Sequence, residues 1–233
     1  MKGRFISFEG IDGTGKSTQI TLLAERMKQE GYDVLVTKEP GSPIEPTKLG
    51  LELRQILFHT VTTHNMASGV ADLLFLADHI QHVEKLIKPA LEEGKTIICD
   101  RYTDSQFAYA ATHKCPAHIL EAYAASFGPI PDVTFLFVSS DPEVTLARAQ
   151  ARRGETHQDG KTWNRVQDQI NVQREYLSRL IGQARTIVIA IDPKQTPAQV
   201  AEIIWVSLLP YLSRPIEYIE GESSKVIAVD QAF

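Results

Sequence analysis

"FEGIDGTGKST", residues 8–18, decides the fold. It begins at the end of an apolar run, "RFISFE" (4–9), and leads into "STQITLLAERMKQEG" (17–31), where apolar residues recur at helical spacing. Between them lie Gly10, Gly13 and Gly15, then Lys16 and the hydroxyls of Ser17 and Thr18. The segment Gly10-Ile11-Asp12-Gly13-Thr14-Gly15-Lys16-Ser17 fits G-x-x-x-x-G-K-[ST] without a gap. Each part has a physical reason. Glycines let the backbone curl so that successive N–H groups point inward at phosphate oxygens. The helix that follows aims its positive end at the same anion. Lys16 then reaches the β- and γ-phosphates, Ser17 offers a hydroxyl to Mg²⁺, and Thr18 a hydrogen bond near the α-phosphate. Strand, motif and helix together predict a site for a nucleoside triphosphate.

Outward from this loop, short β-branched runs alternate with helical periods. The runs are 4–9, 33–38, 95–100, 132–138 and 186–191, and they suit strands buried on both faces of a parallel sheet. Helical patterns fall near 16–30, 66–92, 116–127, 141–153, 163–182 and 196–212, with a short helix carrying Arg54 after the Gly/Pro-rich "EPGSPIEPTKLG". This alternation predicts an α/β fold of three layers. The end, "SRPIEYIEGESSKVIAVDQAF", has no helical period and reads as a tail in which "KVIAV" could pair as a strand.

Composition narrows the classes. The 233 residues suit one α/β domain with a tail, and 43% hydrophobic content suffices for a packed core. The formal charge of −5 argues against a general nucleic-acid binder, so phosphates must meet a local basic cluster. Of the two cysteines, Cys99 sits in "TIIC" and reads as a core thiol. The N-terminus is too quickly polar for a signal peptide, and no run approaches the ~18 apolar residues of a membrane helix. The expected setting is the cytoplasm.

Binding a triphosphate leaves two classes open: a switch or motor, and a kinase. The N-K-x-D segment with which a GTPase would read its base is missing. A kinase needs a second anion site and arginines that close on the transferring group. "CDRYTDSQFAY" places Asp100 and Arg101 at the carboxyl end of a predicted strand, where α/β sheets bind ligands. Arg148, Arg152, Arg153, Lys161 and Arg165 gather around the polar "GETHQDGK", which reads as a lid.

In this combination the chain resembles the thymidylate kinase family. The family pattern F-E-G-x-[DE]-G-x-G-K-[ST]-[ST]-Q is matched by Phe8 to Gln19, [RK]-E-P-G by Lys38 to Gly41, and L-R-x-x-L by Leu53 to Leu57. L-F-x-A follows at Leu74 to Ala77, D-R-[YF]-x-x-S-x-x-A-Y at Asp100 to Tyr109, and P-D-[VL] at Pro131 to Val133, with the arginine-rich lid last. The resemblance runs from residue 4 to residue 212 in the family's order.

It implies a P-loop kinase fold, a five-stranded parallel sheet with helices on both faces and a mobile lid. Residues 1–213 would form the nucleoside monophosphate kinase domain, with the lid near 148–165 and a tail at 214–233. The reaction would make dTDP from dTMP and ATP with Mg²⁺, in a homodimer whose partners are small nucleotides rather than nucleic acid or membrane. Residues 10–18 would hold ATP, and Arg148 would stack on adenine. Asp12 would bond the acceptor's 3′-hydroxyl, and Arg54 and Arg101 would grip its phosphate. Phe75 would stack on thymine, Ser105 and Gln106 would lie near the base, and Tyr109 near the ribose. Glu39 and Pro40 would belong to the same wall. Asp100 would orient Mg²⁺ beside Ser17. Arg152 or Arg153 would cover the phosphoryl group, and "AIDPK" (190–194) would flank the adenine.

Two positions depart from the family. His79 stands where an arginine usually reads a base carbonyl, and Ala110 where bacterial members often carry glutamine. His79 still offers a donor, and Gln106 an amide. Bland readings stand beside the functional ones: Phe75 fits core packing with Leu74 and Ile80, Arg54 a solvated helix, and Asp100 a helix cap.

Overall fold

The structure is a computed structural model that describes residues 3–42, 49–60, 69–112, 115–125, 128–153, 166–192 and 194–213. The lid segment 154–165 (with Lys161 and Arg165), the side chains of Arg152 and Arg153, and the tail 214–233 lie outside the described residues.

Five strands form one parallel sheet: β1 (Phe5–Gly10), β2 (Val34–Lys38), β3 (Thr96–Asp100), β4 (Val133–Ser139) and β5 (Thr186–Ile191), in spatial order β2-β3-β1-β4-β5. All five runs expected from the sequence are strands, each within a residue of its expected bounds. β1 lies at the centre with every residue buried, because Phe5, Ile6 and Phe8 alternate between two covered faces. Phe8 has no exposed surface and sits against the rings of Phe135 and Phe137, at 5.2 and 5.7 Å. Register puts Phe8 beside Asp100 on β3 and Phe135 on β4.

One face of the sheet is covered by α1 (Lys16–Gln29) and, late in the chain, α9 (Pro197–Leu212). Ile20, Leu23 and Met27 of α1 meet Ile204, Trp205 and Leu208 of α9 over Ile6, Phe8 and Ile98. α9 starts on a capping box, Thr196 with Gln199, which satisfies two otherwise orphaned donors.

The other face carries the remaining helices. α2 (Leu49–Gln55) runs into a π-helical turn, Ile56–Thr60. α3 (Val70–His82) continues through a second π-helical turn, Val83–Ile87, into α4 (Lys88–Glu92), so the expected long helix near 66–92 is present from residue 70. Val83, Ile87 and Leu91 pack on Phe5, Ile97 and Cys99, and Cys99 is the core thiol expected. α6 (Ala117–Ala125), α7 (Pro142–Arg153) and α8 (Val166–Leu180) follow the expected positions.

One helix was not expected. α5 (Thr103–Thr112) directly follows β3 and carries Ser105, Gln106 and Tyr109. Its buried positions are Asp104, Ser105, Ala108 and Ala110. Small and polar side chains face inward there, so no apolar stripe marks the helix.

Candidate active site

The site lies at the carboxyl ends of β1 and β3, where the order of the sheet reverses direction and a crevice opens. At Gly10, the last residue of β1, nothing with a Cβ fits. Its φ is +131°, and an added Cβ would come 2.4 Å from the carbonyl of Phe137. At Gly13 a Cβ would fall 1.9 Å from the carbonyl of Thr145, again at positive φ. The loop is thus pressed against β4 and the start of α7 by backbone contact. Thr14 is buried and donates its hydroxyl to Ile11 O at 2.9 Å, which closes the curl. α1 begins with no side-chain cap and no acid in its first turn. Its positive end is left uncompensated, as an anion site requires.

Lys16 is buried and donates to Gly10 O and Ile11 O at 3.0 and 2.9 Å. Burial, with the charge of Arg101 adding to it, pulls its ammonium down to about 8 against the pull of Asp100, Asp12 and Glu9. Ser17 donates to Asp100 Oδ2 at 3.1 Å. Asp100 Oδ1 is buried with no hydrogen bond among the described residues. Thr18 is exposed on α1, and so is Arg148 on α7.

Arg101 faces this loop. It adopts φ +71°, a left-handed conformation that a bulky residue rarely holds. Its guanidinium donates to Asp12 Oδ1 at 2.6 Å, to Tyr176 Oη at 3.0 Å and to Ser105 Oγ at 3.3 Å, and lies 5.1 Å from the Tyr109 ring. Beneath it sits Glu9. Glu9 is completely buried and accepts from Ser105 Oγ at 2.5 Å, Tyr176 Oη at 3.1 Å and the Tyr102 amide at 2.9 Å. Burial, reinforced by Asp104, pushes its carboxyl up to about 8. Glu9 and Tyr176 were not singled out in the sequence. The signals for Glu9 were an acid ending an apolar strand and its place as the second letter of the family pattern. Tyr176 follows Val172 and precedes Leu180 at helical spacing, so it reads as plain core.

A second cluster forms the acceptor-side wall. Glu39, just past β2, donates its backbone N–H to Asp100 O at 3.1 Å. Its carboxylate is buried and takes His79 Nδ1 (3.0 Å), His82 Nδ1 (2.8 Å) and Gln106 Nε2 (3.0 Å). Burial works to raise Glu39, but the charge and hydrogen bond of His79 and the bond from His82 outweigh it and hold the carboxyl well below the usual range. His82 Nε2 is 2.7 Å from Thr37 Oγ1. His79 and His82, spaced like a metal pair, therefore share a carboxylate. His79 is buried, not turned to solvent. Asp78 accepts the Gly41 amide, and Arg54 donates to Pro40 O at 2.6 Å with its guanidinium 4.8 Å from the Phe58 ring. Arg54 is thus half-buried rather than freely solvated. Phe75 is half-buried, packed against the cluster of Leu76 and Ile119.

The sequence-derived residues thus fall into two neighbouring groups. Lys16, Ser17, Asp100, Asp12, Arg101, Ser105 and Tyr109 form one; Glu39, Pro40, Arg54, His79 and Gln106 form the other. A strand-end loop that cradles phosphate, opposed by an arginine and a polar wall, is the layout of a phosphoryl-transfer enzyme with a second anionic substrate. A family model described as thymidylate kinase matches residues 8–203. The chain belongs to the thymidylate kinase family.

Individual members agree with this. A protein from Exiguobacterium sp. named thymidylate kinase is 41% identical over 156 residues, covering 65% of this chain and 70% of the relative. One of the same name from Synechococcus sp. is 37% identical over 214 residues, 89% of this chain and 95% of the relative. Another, from Afipia carboxidovorans, is 37% identical over 208 residues and spans 88% of each chain. Membership in the thymidylate kinase family decides between the two classes left open by the sequence, in favour of the kinase. Among the described residues, no helix is long and apolar enough to cross a membrane.

Proposed function

We propose that this site transfers the γ-phosphoryl group of ATP to the 5′-phosphate of dTMP, giving dTDP and ADP. The observation that carries the reading is the direct contact between the two sides: Arg101 joins Asp12 of the phosphate loop at 2.6 Å. One arginine that would grip the acceptor phosphate is thereby paired with a carboxylate of the loop that would hold the donor, which supports a reading in which the two phosphates meet there.

The loop amides of residues 11–17 and the start of α1 hold the β- and γ-phosphates. Lys16 exchanges its two carbonyl partners for phosphate oxygens. Thr18 serves the α-phosphate, and Arg148 lies on the adenine side. Ser17 Oγ and the unpartnered Asp100 Oδ1 are hard oxygen donors that fit Mg²⁺. An ion held by these two oxygens would supply neutralisation of phosphate charge. Asp12 takes the acceptor's 3′-hydroxyl, and Arg101 and Arg54 hold its phosphate. Glu9, kept protonated at neutral pH, orients Ser105 and Tyr176 without adding a negative charge beside the acceptor. Tyr109 lies against the sugar, and Phe75 stacks on the base. Arg152 or Arg153, at the end of α7, spreads the charge of the transferring group.

A homodimer in the cytoplasm completes the proposal. On α3, Val70, Leu73, Ala77 and Ile80 are exposed along one stripe, and Leu49, Leu51 and Ile56 are exposed nearby on α2 and its continuation. An apolar surface of this kind marks an interface. Gel filtration at several concentrations tests it.

The functional test is ADP release with each nucleoside monophosphate. Stimulation by dTMP is expected. Release without any acceptor dependence rejects the transfer reading.

A further inference from the structure

The phosphate site uses residues 10–18 and stops one short of Gln19. Gln19 lies in the first turn of α1 and is buried, with 4% of its surface exposed. Its Nε2 donates to the carbonyl of Pro197, the first residue of α9, at 3.0 Å. A carbonyl only accepts, so the nitrogen must face it. That fixes the amide and leaves Oε1 as the free end, buried and without a hydrogen bond among the described residues.

α1 follows β1 and α9 follows β5, two strands of one parallel sheet, so both helices begin at its carboxyl edge, where the triphosphate would lie. The Gln19 bond latches the two starts together. Between β5 and α9 the backbone is locked on itself. The amides of Lys194 and Gln195 donate to Asp192, at Oδ1 (2.8 Å) and O (3.1 Å). The Thr196 amide donates to Gln199 Oε1 at 2.9 Å within the capping box. None of these three N–H groups is left for Gln19 Oε1. A segment that holds its own shape is placed by its two ends. β5 fixes one end, and Gln19, through Pro197, fixes the other.

We propose that Gln19 is a positioning residue for the purine base of the donor: through Pro197 it holds Asp192 and Lys194–Thr196 in place against α1, and so sets the affinity for adenine without touching the nucleotide. The unpaired Oε1 separates this role from packing. A buried acceptor without a partner costs stability, and an apolar side chain of similar size would fill the slot without that cost. Stability alone therefore does not call for a glutamine here, whereas the latch does. The role rests on ATP as the donor, with residues 190–194 beside its adenine.

The test is calorimetric titration of the full chain and of Gln19→Met with two probes, ATP and inorganic tripolyphosphate, beside a melting curve for each chain. Tripolyphosphate carries the phosphates and no base. In Gln19→Met the Kd for ATP should rise about 3- to 10-fold, the worth of one hydrogen bond. The Kd for tripolyphosphate should hold, and the melting temperature should stay level or rise. Gln19→Asn keeps the amide but is one methylene too short for Pro197. It should weaken ATP likewise, and it carries the test if Gln19→Met does not fold. An unchanged ATP Kd in the folded variants overturns the inference. So does an equal loss for both probes, which would place the effect on the phosphate loop or on packing at large. A wild type that binds neither probe overturns the nucleotide reading and this inference with it. A wild type that binds ATP but forms no dTDP overturns the proposed transfer alone, and the two titrations still decide the role of Gln19.

Discussion

The two walls of the crevice are built from different materials. The donor wall is backbone: residues 10–16, contiguous in the chain, shaped by Gly10 and Gly13 against the carbonyls of Phe137 and Thr145. The acceptor wall is side chain: Glu39 after β2, His79 and His82 on α3, and Gln106 on α5, joined on one carboxylate. A backbone cradle can fail locally while the fold stands. A side-chain knot that ties three elements together cannot be cut without loosening all of them. The contrast teaches that the two halves of one reaction site carry different loads.

The contrast is sharpest in stability. Glu39→Leu leaves two histidines in a buried site without their carboxylate. Breaking a buried ionic group of this kind should cost about 3–5 kcal/mol, read as a lower denaturant midpoint. A loss below about 1 kcal/mol, the range of surface pairs, would mean that the knot is not structural.

Lys16→Ala should behave in the opposite way. It removes charge that meets developing negative charge in the transition state, for an expected loss of about 10²–10³-fold in kcat. Its melting temperature should stay level or rise, since burial already works against the ammonium. Steady-state kinetics beside a melting curve checks both halves. Near-normal turnover in a folded variant would break the comparison at the donor wall.

Gly13→Ala probes the backbone claim itself. A Cβ there meets the Thr145 carbonyl at 1.9 Å in a positive-φ residue. Strain of about 1–3 kcal/mol is expected, together with weakened ATP binding. Calorimetric titration with ATP and a denaturant curve read the two effects.

The smallest effect concerns Glu9, which lies under both walls. Its folded carboxyl is pushed up to about 8, so the folded chain keeps a proton that the unfolded chain releases near its ordinary value. The stability from this proton is full below the unfolded value and declines as pH rises toward 8. Glu9→Gln should flatten that decline. Midpoints measured from pH 5 to 8.5 for both chains show it, and parallel curves would contradict it.

The same contrast explains what the sequence revealed. The donor wall is one continuous motif, so its chemistry could be read along the chain, and the strands that frame it are uninterrupted β-branched runs. The acceptor wall is assembled across long separations. Glu39 is 43 positions from His82 and 67 from Gln106, and no local period joins them. α5 hid for a related reason: Ser105, Ala108 and Ala110 face inward without an apolar stripe. His79 was noticed as a departure from the family, but its bond to Glu39 and the second histidine behind it belong to tertiary packing.

The central claim is that the two walls act on one phosphoryl group. Following ATP, ADP, dTMP and dTDP together in a single reaction by ³¹P NMR tests it most directly. The account predicts that dTDP and ADP appear in equal amounts, that neither forms without dTMP, and that both vanish in Lys16→Ala. ADP accompanied by inorganic phosphate, with dTMP left unchanged, would contradict it.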